Sequence, residues 1–454
     1  MRTKDVNMLS GSITKGLLTI CLPVMVMNVL QSLFNLVDMT VLKTYNTGNA
    51  VGAVGVCGTL ITLITCLVTG IATGANVTIA RRIGRGDKEG IDRALNTAMA
   101  FSIAGGLALA IIGISFAEVF LGWANCPAEL LPEAALYFRL YFAGTPILMV
   151  YNFVAAIMRS SGNSRGPMVY LSIGGVVKVL LSVLFIAIFK MGVEGVAYAT
   201  IISWSASAVL ALYALTHNNS VVKLRLRNIR FHKRELLEMM RTGVPAGLQM
   251  GLYSFANVLI SATVNAYGTA ATTGISIANI YDGILYNIST ATALAVMPYV
   301  SQNVGCGNIK RATQSVWKGI LVTVALGASF GALSAIFSGP LSSIMSEDPE
   351  VIMYSQQKMM LISSTYFICG INEIFCAALR GMGKPLVPTV SVLLFMCLIR
   401  FPWVWFIYPL LPNLTFLYLI WPIGWVLSIS LQLCFYVPTV KKLFRTHQMQ
   451  EPAQ

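Results

Sequence analysis

The sequence predicts an all-α membrane protein with about twelve transmembrane helices, arranged as two parallel six-helix repeats. Three observations lead to this fold class. The chain has 454 residues, of which 56% are hydrophobic and only 11% are charged, whereas soluble domains contain about 25% charged residues. Apolar runs long enough to cross a bilayer, about 20 residues each, recur from end to end. The two halves of the sequence also match each other at a nearly constant spacing.

The apolar runs account for most of the chain and leave no separate soluble domain. The segment before the first run, Met1 to Lys15, is polar and mixed in charge, which argues against a cleavable signal peptide. The run that follows is itself long enough to form a full span. The twelve runs lie near residues 16–42, 50–80, 92–123, 131–160, 165–190, 192–216, 236–267, 271–303, 312–345, 351–381, 385–410 and 412–440.

Basic residues are concentrated in alternate loops. Of the 31 lysines and arginines, 25 lie before the first run, or in or next to the loops that follow the second, fourth, sixth, eighth, tenth and last runs. The opposite loops carry acidic residues such as Glu118 and Glu347. The positive-inside rule therefore predicts a multi-pass protein of the plasma (inner) membrane with both termini in the cytoplasm. This topology explains the net charge of +14, so we expect no nucleic-acid partner.

Internal repetition defines the predicted domains. Because about six spans per half is an even number, both halves enter the membrane in the same orientation, with a shared site between them. We predict an N-terminal lobe at 1–216, a basic cytoplasmic linker at 217–235 and a C-terminal lobe at 236–454. The matched pairs are Gly84 with Gly305, Gly86 with Gly307 and Arg159 with Arg380 at an offset of 221, and Pro23 with Pro245 and Asn35 with Asn257 at 222.

Asp38 is a carboxylate inside the first apolar run. Asn28, Gln31 and Asn35 precede it at helical spacing and share its face. A carboxylate in a lipid-spanning helix costs roughly 2.5–3.5 kcal/mol, so this face should line a protein interior or a water-filled cavity. The alternative is a residue near a helix end whose side chain reaches the headgroup region.

Asp282 and Glu373 are two further carboxylates inside apolar runs. A buried carboxylate can bind a proton or Na⁺, and neighbouring aromatic rings attract organic cations. The alternative is a structural ion pair between helices, with Arg400 or Lys178 as the partner, and we expect Arg400 to pair or to pack helices. Residues at helical spacing from the two carboxylates are Asn279, Tyr286 and Ser289 for Asp282, and Tyr366 for Glu373.

Residues 30–38, Leu-Gln-Ser-Leu-Phe-Asn-Leu-Val-Asp after Pro23, resemble the first helix of the multidrug and toxin extrusion (MATE) transporters. The resemblance covers nearly the whole chain, from about Gly11 to Leu443. It implies two six-helix lobes that form a V, and antiport of a cationic drug against H⁺ or Na⁺. It also implies cation coupling at Asp38 in the first lobe and at Glu373 in the second. Further matching segments are Gly84-Arg-Gly86, Gly192-Val-Glu-Gly195 and Arg380-Gly-Met-Gly383-Lys-Pro385.

Two departures from this family separate the chain from its usual pattern. Where some members carry Asn and Asp in the fifth helix, this chain has Lys178 and Ser182. Where some members carry an acidic residue in the seventh helix, this chain offers only Gln249, Tyr253 and Asn257. The lysine in the fifth run, followed by a Gly-x-x-Gly turn, also resembles the lipid-linked oligosaccharide flippases of the same superfamily, which remain an alternative.

Several classes of function have no support in the sequence. The nine cysteines form no CxxC pair, so we expect neither a disulfide nor a metal site. No phosphate-binding G-x-x-x-x-G-K-[ST] motif is present, and the three histidines lie outside the apolar runs, which argues against an ATP-driven pump and against an enzyme. We expect no cofactor other than the coupling ion, H⁺ or Na⁺.

The sequence thus predicts a monomeric secondary antiporter, surrounded by membrane lipid, that exports amphipathic cationic compounds. We expect Asp38→Asn to stop gradient-driven export at a small cost to folding, because an amide is cheaper than a carboxylate in an apolar setting. The coupling candidates are Asp38, Asp282 and Glu373. The candidates for lining the substrate cavity are Gln31, Asn35, Lys178, Gln249, Tyr253, Asn257, Asn279, Tyr286, Tyr366 and Arg400.

Overall fold

The computed structural model describes residues 6–45, 50–217 and 221–448, apart from the side chains of residues 35, 36, 39, 43, 59, 447 and 448. All regular secondary structure within these ranges is helical. The first half of the chain forms α1 (Ile13–Tyr45), α2 (Ala50–Arg85), α3 (Lys88–Ser115), α4 (Ala117–Trp123), α5 (Leu131–Ala143), α6 (Thr145–Ser160), α7 (Arg165–Val183) and α8 (Val193–His217). The second half forms α9 (Lys233–Asn265), α10 (Thr269–Gly305), α11 (Ile309–Ile336), α12 (Ser338–Ser343), α13 (Pro349–Gly381), α14 (Leu386–Val392), α15 (Arg400–Pro402), α16 (Leu414–Tyr418) and α17 (Ile420–Gln448).

Short π-helical and 3₁₀ segments connect some of these helices. A π segment, Leu184–Ile188, continues α7, and two more, Leu393–Leu398 and Trp403–Ile407, flank α15. The 3₁₀ segments are Leu226–Asn228 and Tyr408–Leu410. The predicted eleventh run, 385–410, is therefore helical throughout most of its length but is not one regular α-helix.

Ten of the described helical segments are long and apolar enough to cross a membrane. The pair α5 and α6 adds an eleventh if it forms one span, although it is bent by 45° at Gly144, where Pro146 follows at the start of α6. The remaining predicted run, 236–267, coincides with α9, whose apolar stretch is interrupted by polar side chains such as Gln249 and Asn257. The prediction of an all-α polytopic membrane protein is confirmed, with ten or eleven such spans in the described part of the chain.

The chain forms two compact units that do not follow the predicted division exactly at the linker. Unit 1 comprises Met1–Val6 and Leu22–Gly247, and unit 2 comprises Asn7–Cys21 and Leu248–Gln454. The first turns of α9 therefore belong to unit 1, whereas the start of α1 belongs to unit 2. The boundaries 1–216, 217–235 and 236–454 remain a prediction about the sequence halves.

The basic linker is anchored to unit 1 by its apolar residues. Val222 and Leu224 are buried in the same core as α3 and α6. The backbone N–H of Leu224 donates to the carbonyl of Leu215 near the end of α8, at 3.2 Å. The charged residues of this segment thus alternate with side chains that pack into the fold.

Ion pairs hold the first turns of α9 in unit 1. The Glu235 carboxylate, 2% exposed, lies 3.1 Å from Arg93 Nε and 3.9 Å from Arg82 Nη2. Glu238 lies 3.2 Å from Arg82 Nη2 and 3.4 Å from Arg81 Nη1. Because Glu235 and Arg82 are both buried, their mutual pairing avoids the large cost of an isolated buried charge.

Glycines bring α9 into backbone contact with α2. Gly70 and Gly74 on α2 face Gly243 and Gly247 on α9, and both pairs have small-x-x-x-small spacing. A Cβ atom at Gly243 would lie 2.7 Å from the Cα of Ile71, and one at Gly70 would overlap Gly247. Only glycine permits this approach of the two helices.

Unit 2 is completed by the segment that precedes α1. Asn303 Nδ2 donates to the carbonyl of Met8 at 3.1 Å, and Arg311 Nε donates to the same carbonyl at 3.0 Å. Arg311 Nη2 also donates to the carbonyls of Ser10 and Gly11 at 2.8 and 3.0 Å. Each unit therefore contains a segment from the opposite half of the sequence.

Candidate functional site

Asp38 forms a buried ion pair in unit 1. Its carboxylate Oδ2 lies 2.6 Å from Lys178 Nζ, and its Oδ1 accepts a hydrogen bond from Ser182 Oγ at 2.8 Å. The exposed fractions of the two charged side chains are 8% for Asp38 and 12% for Lys178. The carboxylate is thus neutralised by an ammonium, and the two residues that depart from the family pattern are its direct partners.

The local sequence of α7 explains this geometry. Lys178 and Ser182 are four residues apart and share one helical face. Gly175, one turn earlier, lacks the Cβ that would overlap the Phe34 ring of α1. The absence of a side chain at Gly175 lets α1 approach α7 closely enough for Asp38 to contact both partners.

The predicted polar face of α1 is only partly buried. Asp38 is 5% exposed, Asn28 is half-buried and Gln31 is exposed. The side chain of Asn35 lies outside the described residues. The Asp38 carboxylate is buried in an ion pair between α1 and α7. A carboxylate that reached the headgroup region would be exposed instead.

Asp282 forms a second buried ion pair, in unit 2. Its Oδ2 lies 3.0 Å from Lys358 Nζ, and this ion pair joins α10 to α13. Lys358 is 3% exposed and also donates to Asn279 Oδ1, one turn before Asp282. Of the predicted neighbours of Asp282 on α10, Ser289 is buried and Tyr286 is half-buried.

The partner of Asp282 is Lys358, so the suggested pairing with Arg400 or Lys178 is wrong for this carboxylate. Lys178 contacts Asp38, and Arg400 contacts Asn257. Sequence reasoning missed Lys358, although a signal was present: it is a charged residue inside the tenth apolar run, 351–381. An ionisable residue in such a run is by default a candidate for a functional or paired position.

Glu373 forms no salt bridge among the described residues. Its side chain is half-buried on α13 and interacts electrostatically with Arg380, seven residues later. Arg380 is occupied by a different partner, because its Nη2 donates to Gln249 Oε1 at 2.8 Å. Tyr366, 7% exposed, lies on the same helix with its ring centroid 5.3 Å from that of Trp425.

Arg400 is a buried cation held by neutral groups. It is 2% exposed, and its Nη1 donates to Asn257 Oδ1 at 2.6 Å. Its guanidinium carbon lies 5.1 Å from the ring centroid of Tyr253 and 5.5 Å from that of Trp421. These distances are typical of cation–π contacts. The structure thus brings together three predicted residues, and it adds Trp421, which the sequence analysis did not single out.

The described residues contain no group of three His, Cys, Asp or Glu side chains placed to hold a metal ion. All nine cysteines are free thiols. The polar groups of interest are therefore carboxylates, ammonium and guanidinium groups, amides and aromatic rings.

Comparison with known proteins assigns the fold to a family. The MatE family model matches residues 23–184 and 245–406, which is more than half of the chain. The chain belongs to the MatE family. The second match begins and ends 222 residues after the first (245 − 23 and 406 − 184), so the internal repeat is confirmed at the offset that pairs Pro23 with Pro245. Members of this family are membrane transporters of small molecules, and the chain is an integral multi-pass membrane transporter.

Several relatives resemble the chain over most of its length. The probable multidrug resistance protein YoeA of Bacillus subtilis is 26% identical over 84% of the chain and 83% of its own length. The probable multidrug resistance protein NorM of Thermotoga maritima is 25% identical over 86% and 84%. The FAD transporter of Shewanella oneidensis is 23% identical over 74% and 75%.

Solved structures share the fold. An outward-facing multidrug resistance MATE family transporter superimposes with a TM-score of 0.89 at 20% identity, covering 98% of this chain and 99% of that one. A transporter of the MOP superfamily from Pyrococcus furiosus superimposes with a TM-score of 0.83 at 20% identity, covering 99% and 98%.

The repeat register relates the two units residue by residue. At the offset of 222, Lys178 corresponds to Arg400, and Asn35 corresponds to Asn257. Asp38 corresponds to Ile260, which is 3% exposed. Both units therefore place a cation at the same position of the repeat, but only unit 1 places a carboxylate opposite it.

Proposed function

We propose that this chain is a secondary antiporter that exports amphipathic small molecules in exchange for H⁺ or Na⁺. The observation that carries the proposal is the buried Asp38–Lys178 pair, within a chain that belongs to a family of transporters. The multidrug resistance names of the relatives support drugs or toxins as the exported compounds.

The Asp38–Lys178 pair suits the coupling of ion binding to a conformational change, because separating the two charges costs free energy. When Asp38 binds a proton or Na⁺, Lys178 loses its counter-charge, and an uncompensated buried charge costs several kcal/mol. The resulting strain favours a state in which α1 and α7 separate at this point and Lys178 reaches water. A gradient then drives transport if cation and substrate prefer different states, since a ligand shifts an equilibrium only by its differential affinity.

Glu373 is the strongest candidate for contact with a positively charged substrate. Asp38 and Asp282 are each within 3.0 Å of a lysine, whereas Glu373 has no such partner among the described residues. Tyr253 interacts electrostatically with Glu373 and could supply a ring face for a cationic amphipath. We propose that Asp282 takes part in coupling only in a state in which its ion pair with Lys358 is broken.

Supporting roles and topology follow the same reasoning. We propose that Gln31, Asn35, Gln249 and Tyr286 line the substrate path by their spacing on α1, α9 and α10. The concentration of basic residues in alternate loops supports a plasma-membrane protein with both termini on the cytoplasmic side. The two lobes within one chain provide a complete transport unit, so we propose a monomer embedded in lipid.

The test is ethidium export from proteoliposomes under an imposed pH gradient, and separately under a Na⁺ gradient. Wild-type protein should export against a concentration gradient with one or both ions. Asp38→Asn should abolish uphill export, whereas Asp92→Asn, which changes a carboxylate at the start of α3, should preserve it. Uphill export by purified Asp38→Asn would remove Asp38 from the mechanism. Transport of a lipid-linked sugar in place of ethidium would favour the flippase alternative.

A further inference from the structure

Unit 2 contains a buried guanidinium that no carboxylate neutralises. Within 4.0 Å, Lys178 and Lys358 each have an aspartate partner, but no described carboxylate lies within that distance of Arg400. Its hydrogen-bond acceptor is the amide oxygen of Asn257. Because burying an unpaired charge is costly, other groups must stabilise the positive charge of Arg400.

Aromatic rings supply part of that compensation. The Trp421 ring lies 5.5 Å from the Arg400 guanidinium carbon and 5.6 Å from Lys358 Nζ, so one indole is shared by two cations. Tyr253 faces the same guanidinium. We call Tyr253, Asn257, Lys358, Arg400 and Trp421 the Trp421 cluster. Since Asp282 neutralises Lys358, the cluster retains the positive charge of Arg400.

Several buried polar groups on the segments that carry the cluster have no hydrogen-bond partner, and among them is one carboxylate oxygen, Asp282 Oδ1. Trp425 Nε1, one helical turn after Trp421, is buried without a hydrogen-bond partner, and so is Trp403 Nε1, three residues after Arg400. The Tyr418 hydroxyl is also unpartnered, and its ring centroid lies 6.0 Å from that of Trp421. Buried polar groups normally have partners, so the two unpartnered indole N–H groups and the positive charge of Arg400 indicate a ligand that supplies acceptors.

We propose that the Trp421 cluster binds the anionic group of an aromatic substrate, a carboxylate, sulfonate or phosphate attached to a flat ring system. This inference rests on the proposed transport function and names a substrate class for it. The guanidinium fork of Arg400 pairs with the anion after exchanging its bond to Asn257, and the rings of Trp421 and Tyr253 stack on the substrate. A cationic centre on the same molecule would make it a zwitterion that also contacts Glu373.

The burial of Arg400 gives this binding a conformational consequence. At 2% exposure the guanidinium is closed to solvent, so an anion reaches it only when the cluster opens. The anionic substrate therefore stabilises the open arrangement.

A pair of flavins tests the proposal, because flavin mononucleotide differs from riboflavin by one phosphate on the same ring system. Their binding to the purified protein is measured by equilibrium dialysis. Wild type should prefer flavin mononucleotide by about 10-fold to 100-fold, the range for hydrogen bonds to a charged group. Arg400→Gln should lose this preference and keep its affinity for riboflavin within about two-fold.

Asn257→Asp is the matched second variant, because it keeps Arg400 and gives it the counter-charge that it lacks. It should also lose the preference for the phosphate. Equal binding of the two flavins to wild type, or no binding of either at millimolar concentration, would overturn the proposal. The proposal would also be overturned if the Asn257→Asp protein elutes as a single species and still prefers flavin mononucleotide as wild type does. This outcome counts even if Arg400→Gln does not fold. Because the assay measures binding without a gradient, its outcome is independent of whether ethidium is exported.

Discussion

Two equivalent positions of the repeat hold a cation in different surroundings. In unit 1, Lys178 lies 2.6 Å from Asp38, and the pair is electrically neutral. In unit 2, Arg400 at the corresponding position lies 2.6 Å from the amide of Asn257 and against two aromatic rings. The residue that corresponds to Asp38 is Ile260. Unit 1 thus has a neutral ion pair where unit 2 has a charged site, because isoleucine replaces the carboxylate while the cation changes only from lysine to arginine.

The two units have therefore diverged in electrostatics on a common scaffold. Among the described residues, each unit contains one carboxylate–lysine pair, but the pair in unit 2 joins α10 to α13, whereas the pair in unit 1 joins α1 to α7. A role inferred for one unit therefore cannot be transferred to the other by sequence alignment alone.

The largest effect is expected from Asp38→Asn on stability. The amide leaves Lys178 buried without a counter-charge, so unfolding in detergent should become easier by about 3–5 kcal/mol. This value exceeds the small cost expected from the sequence alone, because Lys178 lies 2.6 Å from the carboxylate. The double variant Asp38→Asn/Lys178→Gln should recover most of the loss, as judged by thermal unfolding. A single variant as stable as wild type would show that the pair is not energetically coupled.

A somewhat smaller loss is expected from Lys358→Gln. The variant leaves Asp282 unpaired, but a carboxylate can neutralise itself by taking up a proton, so we expect about 2–3 kcal/mol at neutral pH. The double variant Asp282→Asn/Lys358→Gln should fold well. If it exports ethidium as wild type does, the pair in unit 2 is structural; if export stops with normal protein abundance, Asp282 belongs to the coupling site.

Ile260→Asp converts unit 2 toward the arrangement of unit 1. An aspartate here should pair with Arg400, as Asp38 pairs with Lys178. The substitution should therefore be tolerated better in wild type than in an Arg400→Gln background, with a coupling energy of about 1–3 kcal/mol. A double-mutant cycle on thermal unfolding measures it. A coupling energy near zero would show that the side chains at 260 and 400 do not interact. Position 260 would then not be the equivalent of Asp38 in unit 2.

The smallest effect concerns two helix caps that correspond in the repeat. Asp87 caps α3 by accepting from Gly90 N–H at 2.8 Å, and Asn308 caps α11 by accepting from Arg311 N–H at 3.0 Å. The hydrogen bond from Gly90 lowers the pKa of Asp87, with a further contribution from Arg82. The contribution of this cap is thus complete above the unfolded pKa, about 3.9, and is lost as pH falls through the lower folded value.

The amide of Asn308 does not titrate, so acidification should loosen the first turn of α3 and leave that of α11 unchanged. Because the Asp87 side chain is 32% exposed and solvent screens its charge, the change should be only a few tenths of a kcal/mol. Hydrogen exchange of the Gly90 and Arg311 amides between about pH 5 and pH 3 compares the two caps. Asp87→Asn should remove the pH dependence at Gly90, and its persistence would assign the effect to another group.

The sequence was sufficient to predict the helices, the repeat and the isolated charges within apolar runs. These depend on composition and local spacing, which determine helices in a membrane. The pairing of Asp282 with Lys358 was not predictable, because the two residues are 76 positions apart (358 − 282) and meet only through the packing of α10 on α13. The 45° bend between α5 and α6 was missed for a different reason: the Gly144-Thr-Pro146 signal lies within an unbroken apolar run.

The predicted roles of the site residues depend on tertiary contacts that spacing does not reveal. Lys178 and Arg400 were both identified as unusual charges, yet their neighbours determine what each can bind. Trp421 carried no signal of its own, because aromatic residues are common in apolar runs. Its importance arises from the two cations that share its ring.

The glycine contact between α2 and α9 has a consequence for how the protein is made. The face of α2 that carries Gly70 and Gly74 packs against glycines of α9 that are synthesised about 170 residues later. Until α9 is synthesised, this strip lacks the helix that packs on it, and the buried arginine Arg82 lacks Glu235 and Glu238. Unit 1 is therefore incomplete until the first half of α9 has been synthesised. Messenger truncated before α9 should yield a product that membrane proteases degrade.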